Sequence, residues 1–416
     1  MAAWLRENLP GGQQRATVCL AAEDKAVIAA ALLASLAGGP VLLLPYAFSG
    51  QALAGLQKTT GFTVAISDVE REFPAGTEVI RPKAGTSSPQ LHNYTADPQK
   101  ELLRLYTGGS TGVPQIWSKT GINIFAEALF LAGHFGISVR DRIVATISPY
   151  HVYGLLYSVT LPLVSGAAVL PGIPSFPEEI IQAAQDCAAT ILVSVPVHYR
   201  ALQGKPLMGS SLRLAFSSAG VLGNEAGSEF CRNNAVNIIE VYGSTETGGI
   251  ALRNRCRGEE QFTPYPTVDW EIGGQQLLVR SPYLSPGLTQ DGNGLFTTGD
   301  RVEACGASGF FLKGRVDSIT KVGGNRVDLE EISALIKQQP GVADCLVLAL
   351  AEGGGRQHRI VALIEDEGVN IEALKKMLAS RLEPYALPRT IKTIGRIPMK
   401  ENGKYDRNEI LRLLES

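Results

Sequence analysis

Residues 106–119 read Y-T-G-G-S-T-G-V-P-Q-I-W-S-K, and between Thr107 and Gly112 every residue is Gly, Ser or Thr. Such a run adds little to a core. Glycine reaches backbone angles closed to other residues and has no bulk, so this loop can bring N–H groups and hydroxyls against a polyanion. A flexible surface loop has the same composition. The pattern G-x-x-x-x-G-K-[ST] is absent, which excludes a Walker loop. Residues 102–106 read as the strand that delivers the run. Before it, a helix over 24–36 lies between short apolar strands at 18–21 and 41–44, a rhythm that predicts a parallel sheet covered by helices.

Beyond the run, 121–136 reads as a helix, 142–147 as a strand and 155–164 as a buried helix. Strands over 190–193, 212–217 and 238–242 follow, the last two running into the polar turns S-S-A-G and Y-G-S-T-E. Polar turns after strands are where open α/β sheets bind ligands. From residue 252 short strands alternate with Gly and Pro turns, as in a small β-rich subdomain. The predicted architecture is α/β: a large N-terminal domain of α/β sheets over 1–313, its β-rich subdomain over about 252–313, a hinge at 314–317, and a small mobile α+β C-terminal domain over 318–416.

Length and composition exclude several classes. A chain of 416 residues is expected to hold two domains, or one with an appendage, and 45% hydrophobic residues supply a core. A formal net charge of −2 gives no reason to expect nucleic acid or an anionic membrane as partner. The six cysteines, at 19, 187, 231, 256, 305 and 345, contain no C-x-x-C pair and read as buried thiols of a reducing compartment. The N-terminus has no basic stretch before an apolar core, and the most apolar segment is broken by G-G-P at 38–40, so a cytoplasmic soluble protein is expected.

Four further motifs follow the Gly/Thr run: V-Y-G-S-T-E-T-G at 241–248, T-G-D at 298–300, G-R-V-D-S-I-T-K-V-G-G-N-R at 314–326 and P-M-K-E-N-G-K-Y-D-R at 398–407. In this order the five resemble the adenylate-forming superfamily of acyl- and aryl-CoA synthetases, luciferases and peptide-synthetase adenylation domains. The resemblance runs from about residue 106 to the C-terminus. It implies that ATP activates a carboxylate. That chemistry must grip a triphosphate, seat a divalent ion, fix the nucleoside and neutralise charge developing on the α-phosphate.

The resemblance implies a role for each motif. Thr107, Gly108, Gly109, Ser110, Thr111 and Gly112 would cradle the phosphates. Tyr242 would stack on adenine and Thr245 bond the α-phosphate, with Gly243 and Ser244 shaping the turn. Glu246 would hold Mg²⁺, which takes one or two carboxylates and fills its other positions with water and phosphate. Ser218, Ala219 and Gly220 would line the adenine, Asp300 would bind the ribose, and Arg315 would be a second contact to ribose or phosphate. Lys404 would be the catalytic lysine and Asp317 the pivot that withdraws it. Gly323 and Gly324 would let a pantetheine arm pass, so CoA or a carrier-protein phosphopantetheine is the implied acceptor. His151 resembles the gate of acyl- and aryl-CoA synthetases, and the acyl pocket is expected among Tyr150, His151, Tyr153, Ala219, Thr247, Gly248, Gly249 and Ile250.

One position departs from the pattern. The superfamily places Lys after the Pro of T-G-x-P-K, and this chain has Gln115. Lys119, four residues on, is the candidate substitute for that charge. The rival reading is a degenerate relative that binds nucleotide or carrier protein without turnover. The sequence leaves open the acid, the acceptor and the oligomeric state.

Overall fold

The computed structural model describes residues 1–9, 16–82, 97–107, 115–207, 211–306, 308–322, 325–352, 357–366, 368–400 and 405–415. The chain divides into two compact units. The first is residues 1–269 with 280–294, and the second is 270–279 with 295–416.

The first unit holds two sheets. One is built from β1 (Thr17–Leu20), β2 (Val41–Leu44), β3 (Val64–Ile66), β4 (Glu78–Ile80), β5 (Glu101–Thr107) and β6 (Gln115–Thr120), in the order β4-β3-β1-β2-β5-β6. All neighbours are parallel except β5 and β6, which pair antiparallel. The sheet is buried on both faces. Val18, Leu20, Leu42 and Leu44 join one apolar cluster, and Cys19 and Leu43 join another on the opposite side. Alternation of side chains along a strand produces this division, and a doubly covered parallel sheet requires apolar residues in both sets.

The second sheet of this unit comprises β7 (Arg142–Ala145), β8 (Ala168–Val169), β9 (Ile191–Ser194), β10 (Leu214–Ser217), β11 (Asn237–Ser244), β12 (Gly248–Asn254) and β13 (Thr263–Pro264). Its order is β13-β12-β11-β10-β9-β7-β8, parallel from β8 to β11 and antiparallel from β11 to β13. Helix Gly121–Phe135 enters through a reciprocal cap between Thr120 and Asn123 and stops at Gly136 in the left-handed conformation. The expected buried helix over 155–164 is a continuous helical run from Val152 to Ser165 whose middle, Leu156–Thr160, widens into a π-type turn. Pro162 has no N–H to continue an α-pattern, and the Ser158 and Thr160 hydroxyls donate back to the Gly154 and Leu156 carbonyls.

In the second unit, β14 (Asp269–Gly273), β15 (Gln276–Arg280), β16 (Phe296–Cys305) and β17 (Gly309–Arg315) form a four-stranded sheet. The short ribbon β18 (Ile319–Val322) and β19 (Asn325–Asp328) follows. Then β20 (Val342–Glu352), β21 (Gln357–Asp366) and β22 (Thr390–Ile394) make a three-stranded sheet. Helices Leu329–Lys337 and Ile371–Arg381 cover one face through Ile332, Ile336, Leu374 and Leu378. Helix Arg407–Glu415 covers the other through Ile410 and Leu414. By packing, the β14–β17 sheet belongs with these C-terminal elements, and residues 314–317 lie inside the second unit.

One cysteine reading is corrected. Cys231, in helix Asn224–Asn234, and Cys256, in the short turn Arg255–Arg257, are joined as a disulfide with Cα atoms 5.8 Å apart. Spacing in the sequence could not reveal this, because helix packing brings the two together across 25 residues. Cys19, Cys187, Cys305 and Cys345 are free thiols. Among the described residues no helix is long and apolar enough to cross a membrane.

Candidate functional site

In the first unit the candidate residues gather where β10 and β11 end. Residue 219 follows β10 with φ +68°, a left-handed conformation that costs a non-glycine residue energy. The neighbouring Ser218 hydroxyl donates to the Val241 carbonyl at 2.8 Å, which ties this turn to the end of β11. Ala219 and Gly220 are exposed, as a surface facing a ligand requires.

The Y-G-S-T-E-T-G motif is a hairpin between β11 and β12, with Tyr242 opposite Ala251, Gly243 opposite Gly249 and Ser244 opposite Gly248. Gly243 is obligatory: a Cβ there would stand 2.2 Å from the Gly248 carbonyl oxygen. Gly248 has φ +68°, and a Cβ there would meet Tyr283 Cβ at 2.7 Å and Glu127 Oε2 at 2.8 Å. The Ser244 and Thr247 hydroxyls lie 2.9 Å apart, and each also accepts the other residue's backbone N–H. Thr247 is buried and its hydroxyl closes the turn, so it shapes the hairpin that carries Thr245 and Glu246. Thr245 and Glu246 are half-buried at the tip, and the Glu246 carbonyl accepts the Ser285 N–H at 2.8 Å. Tyr242 is also half-buried, with its ring 5.5 Å from that of Phe262.

The expected acyl-pocket residues separate by environment. Tyr150 is 5% exposed, packs edge-on against Phe48 at 4.6 Å and donates to the Ala22 carbonyl at 2.7 Å. The Tyr153 hydroxyl donates to the Ser194 carbonyl at 3.3 Å. Burial raises both phenols well above their ordinary pKa, so they act as neutral donors. His151 is half-buried and begins helix Val152–Leu155. Ile250 is buried within β12. A histidine absent from the sequence expectations stands close to this group. His198 Nδ1 lies 2.7 Å from Thr146 Oγ1, which in turn is 2.8 Å from Ser194 Oγ, all beside the ends of β7 and β9. Only strand order brings these three polar residues together, and no motif marks them.

In the second unit Asp300 and Arg315 face each other across β16 and β17, with Arg315 Nη1 3.5 Å from Asp300 Oδ1. A Cβ on Gly299 would meet Arg315 Nη2 at 2.7 Å, so the T-G-D glycine makes room for the guanidinium. Val316–Ser318, the turn that contains Asp317, follows directly. The Ser318 hydroxyl donates to the Arg315 carbonyl and to Asp328, which also pairs with Arg301 and caps helix Leu329–Lys337. Met399 and Tyr405 form an antiparallel bridge, and the Tyr405 hydroxyl donates to Asp344 at 3.0 Å.

Lys404, Gly108, Gly109, Ser110, Thr111, Gly112, Gly323 and Gly324 lie outside the described residues. Thr107 ends β5 and Gln115 begins β6, so the two are paired in register on either side of the undescribed run. The expectation that Lys119 replaces the missing loop cation is corrected. Lys119 is 1% exposed, and its ammonium donates to the carbonyls of Tyr283 at 3.0 Å and Glu246 at 3.3 Å. Among the described residues no cluster of three His, Cys, Asp or Glu could hold a metal ion. A single carboxylate at the tip of a fixed turn does fit a Mg²⁺ that takes its other ligands from phosphate and water.

A profile described as AMP-binding enzyme matches residues 1–290, and one described as AMP-binding enzyme C-terminal domain matches 331–404. The chain is 27% identical to an anthranilate–CoA ligase of Pseudomonas aeruginosa over 358 residues, covering 78% of this chain and 69% of the relative. It is 27% identical to a 4-coumarate–CoA ligase of Rhodobacter capsulatus over 301 residues, covering 72% and 73%. ATP-bound MatB from Rhodopseudomonas palustris superimposes with a TM-score of 0.83 at 20% identity, over 100% of this chain and 91% of that one.

Proposed function

The chain belongs to the AMP-binding enzymes, and we propose that within this family it is an acid–thiol ligase that works in two half-reactions. In the first, a carboxylic acid and MgATP give acyl-AMP and pyrophosphate. In the second, a thiol attacks the mixed anhydride and AMP leaves. The anthranilate and 4-coumarate relatives named above are CoA ligases, which favours CoA as the thiol; a carrier-protein phosphopantetheine offers the same nucleophile. The observation that carries the reading is the β11–β12 hairpin, which holds Thr245 and Glu246 at its tip beside the strained, exposed turn at Ala219.

Each residue has a task in this reading. Tyr242 stacks on the adenine, and Ser218, Ala219 and Gly220 form its edge. Asp300 accepts the ribose hydroxyls, and Arg315 orients that carboxylate. Thr245 donates to the α-phosphate, and Glu246 is the carboxylate for Mg²⁺. Bound there, Mg²⁺ neutralises phosphate charge as pyrophosphate departs. The loop from Thr107 to Gly112 cradles the phosphates through N–H groups and hydroxyls. Lys404 stabilises the charge that develops between substrate carboxylate and α-phosphate. Turning at Asp317 then withdraws Lys404 and presents Gly323 and Gly324 to the thiol. The acid lies against His151, Tyr150, Tyr153 and Gly248, a lining that leans towards an aryl acid.

The test is pyrophosphate release from MgATP with a panel of aryl and acyl acids, with and without CoA. Acid-dependent release, completed to thioester when CoA is added, is expected. Nucleotide binding with no turnover for any acid would favour a non-catalytic relative.

A further inference from the structure

Two charges are buried beneath the Thr245–Glu246 turn, and the two half-reactions use neither. β6 runs antiparallel to β5 with Lys119 opposite Leu103, and this register turns Lys119 inward. Glu127, on helix Gly121–Phe135, is 3% exposed. Its Oε1 accepts the Gly249 N–H at 2.9 Å, and a Cβ on Gly249 would meet both that oxygen and the Tyr265 hydroxyl at 2.5 Å. Lys119 donates to the Glu246 carbonyl and Glu127 accepts the Gly249 N–H, so the two hold the hairpin at two points along the chain. Burial lowers the Lys119 pKa and raises that of Glu127, and each charge offsets part of the other's shift. Two desolvated charges are costly to bury, and a core of apolar residues would pack here with less penalty.

We propose that Lys119 and Glu127 form a two-point clamp that fixes the Glu246 turn, so that its carboxylate meets the divalent cation at one place. The proposal rests on the reading of Glu246 as the metal carboxylate. Both are positioning residues, since neither touches the nucleotide. The carbonyl that Lys119 grips also accepts the Ser285 N–H, so the turn survives loss of the lysine but is less sharply held.

The experiment measures the Mg²⁺ concentration that half-saturates pyrophosphate release, at saturating ATP and acid, together with the thermal midpoint. Lys119→Met is expected to raise the half-saturating Mg²⁺ roughly tenfold, equivalent to about 1.4 kcal/mol. Glu127→Gln keeps an acceptor for Gly249 and nearly the same shape. It is expected to raise the Mg²⁺ requirement about threefold, and it decides the matter if Lys119→Met fails to fold. Glu246→Gln is measured beside them. If it raises the requirement while the clamp variants keep the wild-type value, or lose only thermal stability, the clamp is overturned and the Glu246 reading stands. If Glu246→Gln leaves the requirement unchanged, the Glu246 reading fails and the clamp falls with it.

Discussion

Gln115 is exposed at the first position of β6, where the resemblance calls for lysine, and Lys119 is too deeply buried to take that role. Gln115→Lys should therefore lower the KM for ATP. An exposed Lys–phosphate contact is worth on the order of 1 kcal/mol, a several-fold change that shrinks as salt is added. Titrating ATP at two ionic strengths checks both parts, and an unchanged KM would mean that the loop grips phosphate through backbone and hydroxyls alone. Lys404→Ala should abolish adenylation while sparing thioester formation from supplied acyl-AMP. Wild-type adenylation by that variant would remove the lysine from the chemistry. Tyr242, Glu246 and Asp300 could be proposed from the sequence because they lie in motifs that carry the family resemblance. Lys119, Glu127 and His198 could not. Their environments depend on strand register and helix packing, and Lys119 reads as a substitute loop cation until β6 is seen to turn it inward.

Among elements, the ends of β7 and β10 are tied together by an ion pair. Asp141 accepts from Arg213 Nε at 2.8 Å, from Thr190 Oγ1 at 2.8 Å and from the Ser138 N–H at 3.0 Å. The Arg213 guanidinium beside it is the largest cause that lowers the carboxyl pKa to about 2. An unfolded Asp titrates near about 3.9, so the pair's contribution is complete above that pH and fades as pH falls towards about 2. It amounts to about 2 kcal/mol at most, because Arg213 is partly solvated. Asp141→Asn should lose that stability at pH 7 and flatten the acid limb, which urea unfolding at pH 7 and at about pH 3 would reveal; an unchanged acid limb would assign it to other carboxylates. In the turn after β17, Asp317→Pro should leave adenylation working and block thioester formation, since proline fixes φ where the turn must change. Equal loss of both half-reactions would argue against a pivot there. The parallel strands were legible as apolar runs, and the β-rich stretch as a change in texture. The pairing of β6 with β5 was not, because a strand carrying Gln115, Ser118 and Lys119 has no apolar run to announce it.

At the scale of the molecule, a larger α/β unit carries the turns that follow β10 and β11, and a smaller unit of sheets and helices carries Asp300, Arg315 and the Met399–Tyr405 bridge. Five motifs in a fixed order were enough to anticipate this class of fold. Packing was needed to show that the β14–β17 sheet groups with the C-terminal elements and that Cys231 meets Cys256. Both depend on contacts between segments far apart in the chain. The central proposal is that this chain makes an acyl-adenylate and passes the acyl group to a thiol. Its most direct test incubates the purified chain with MgATP labelled at the α-phosphate and an acid panel, then resolves the nucleotides before and after CoA is added. Acid-dependent formation of acyl-AMP with equimolar pyrophosphate, converted to AMP and thioester on adding CoA, is the expected result. ADP as the product, or no label leaving ATP with any acid, would contradict it.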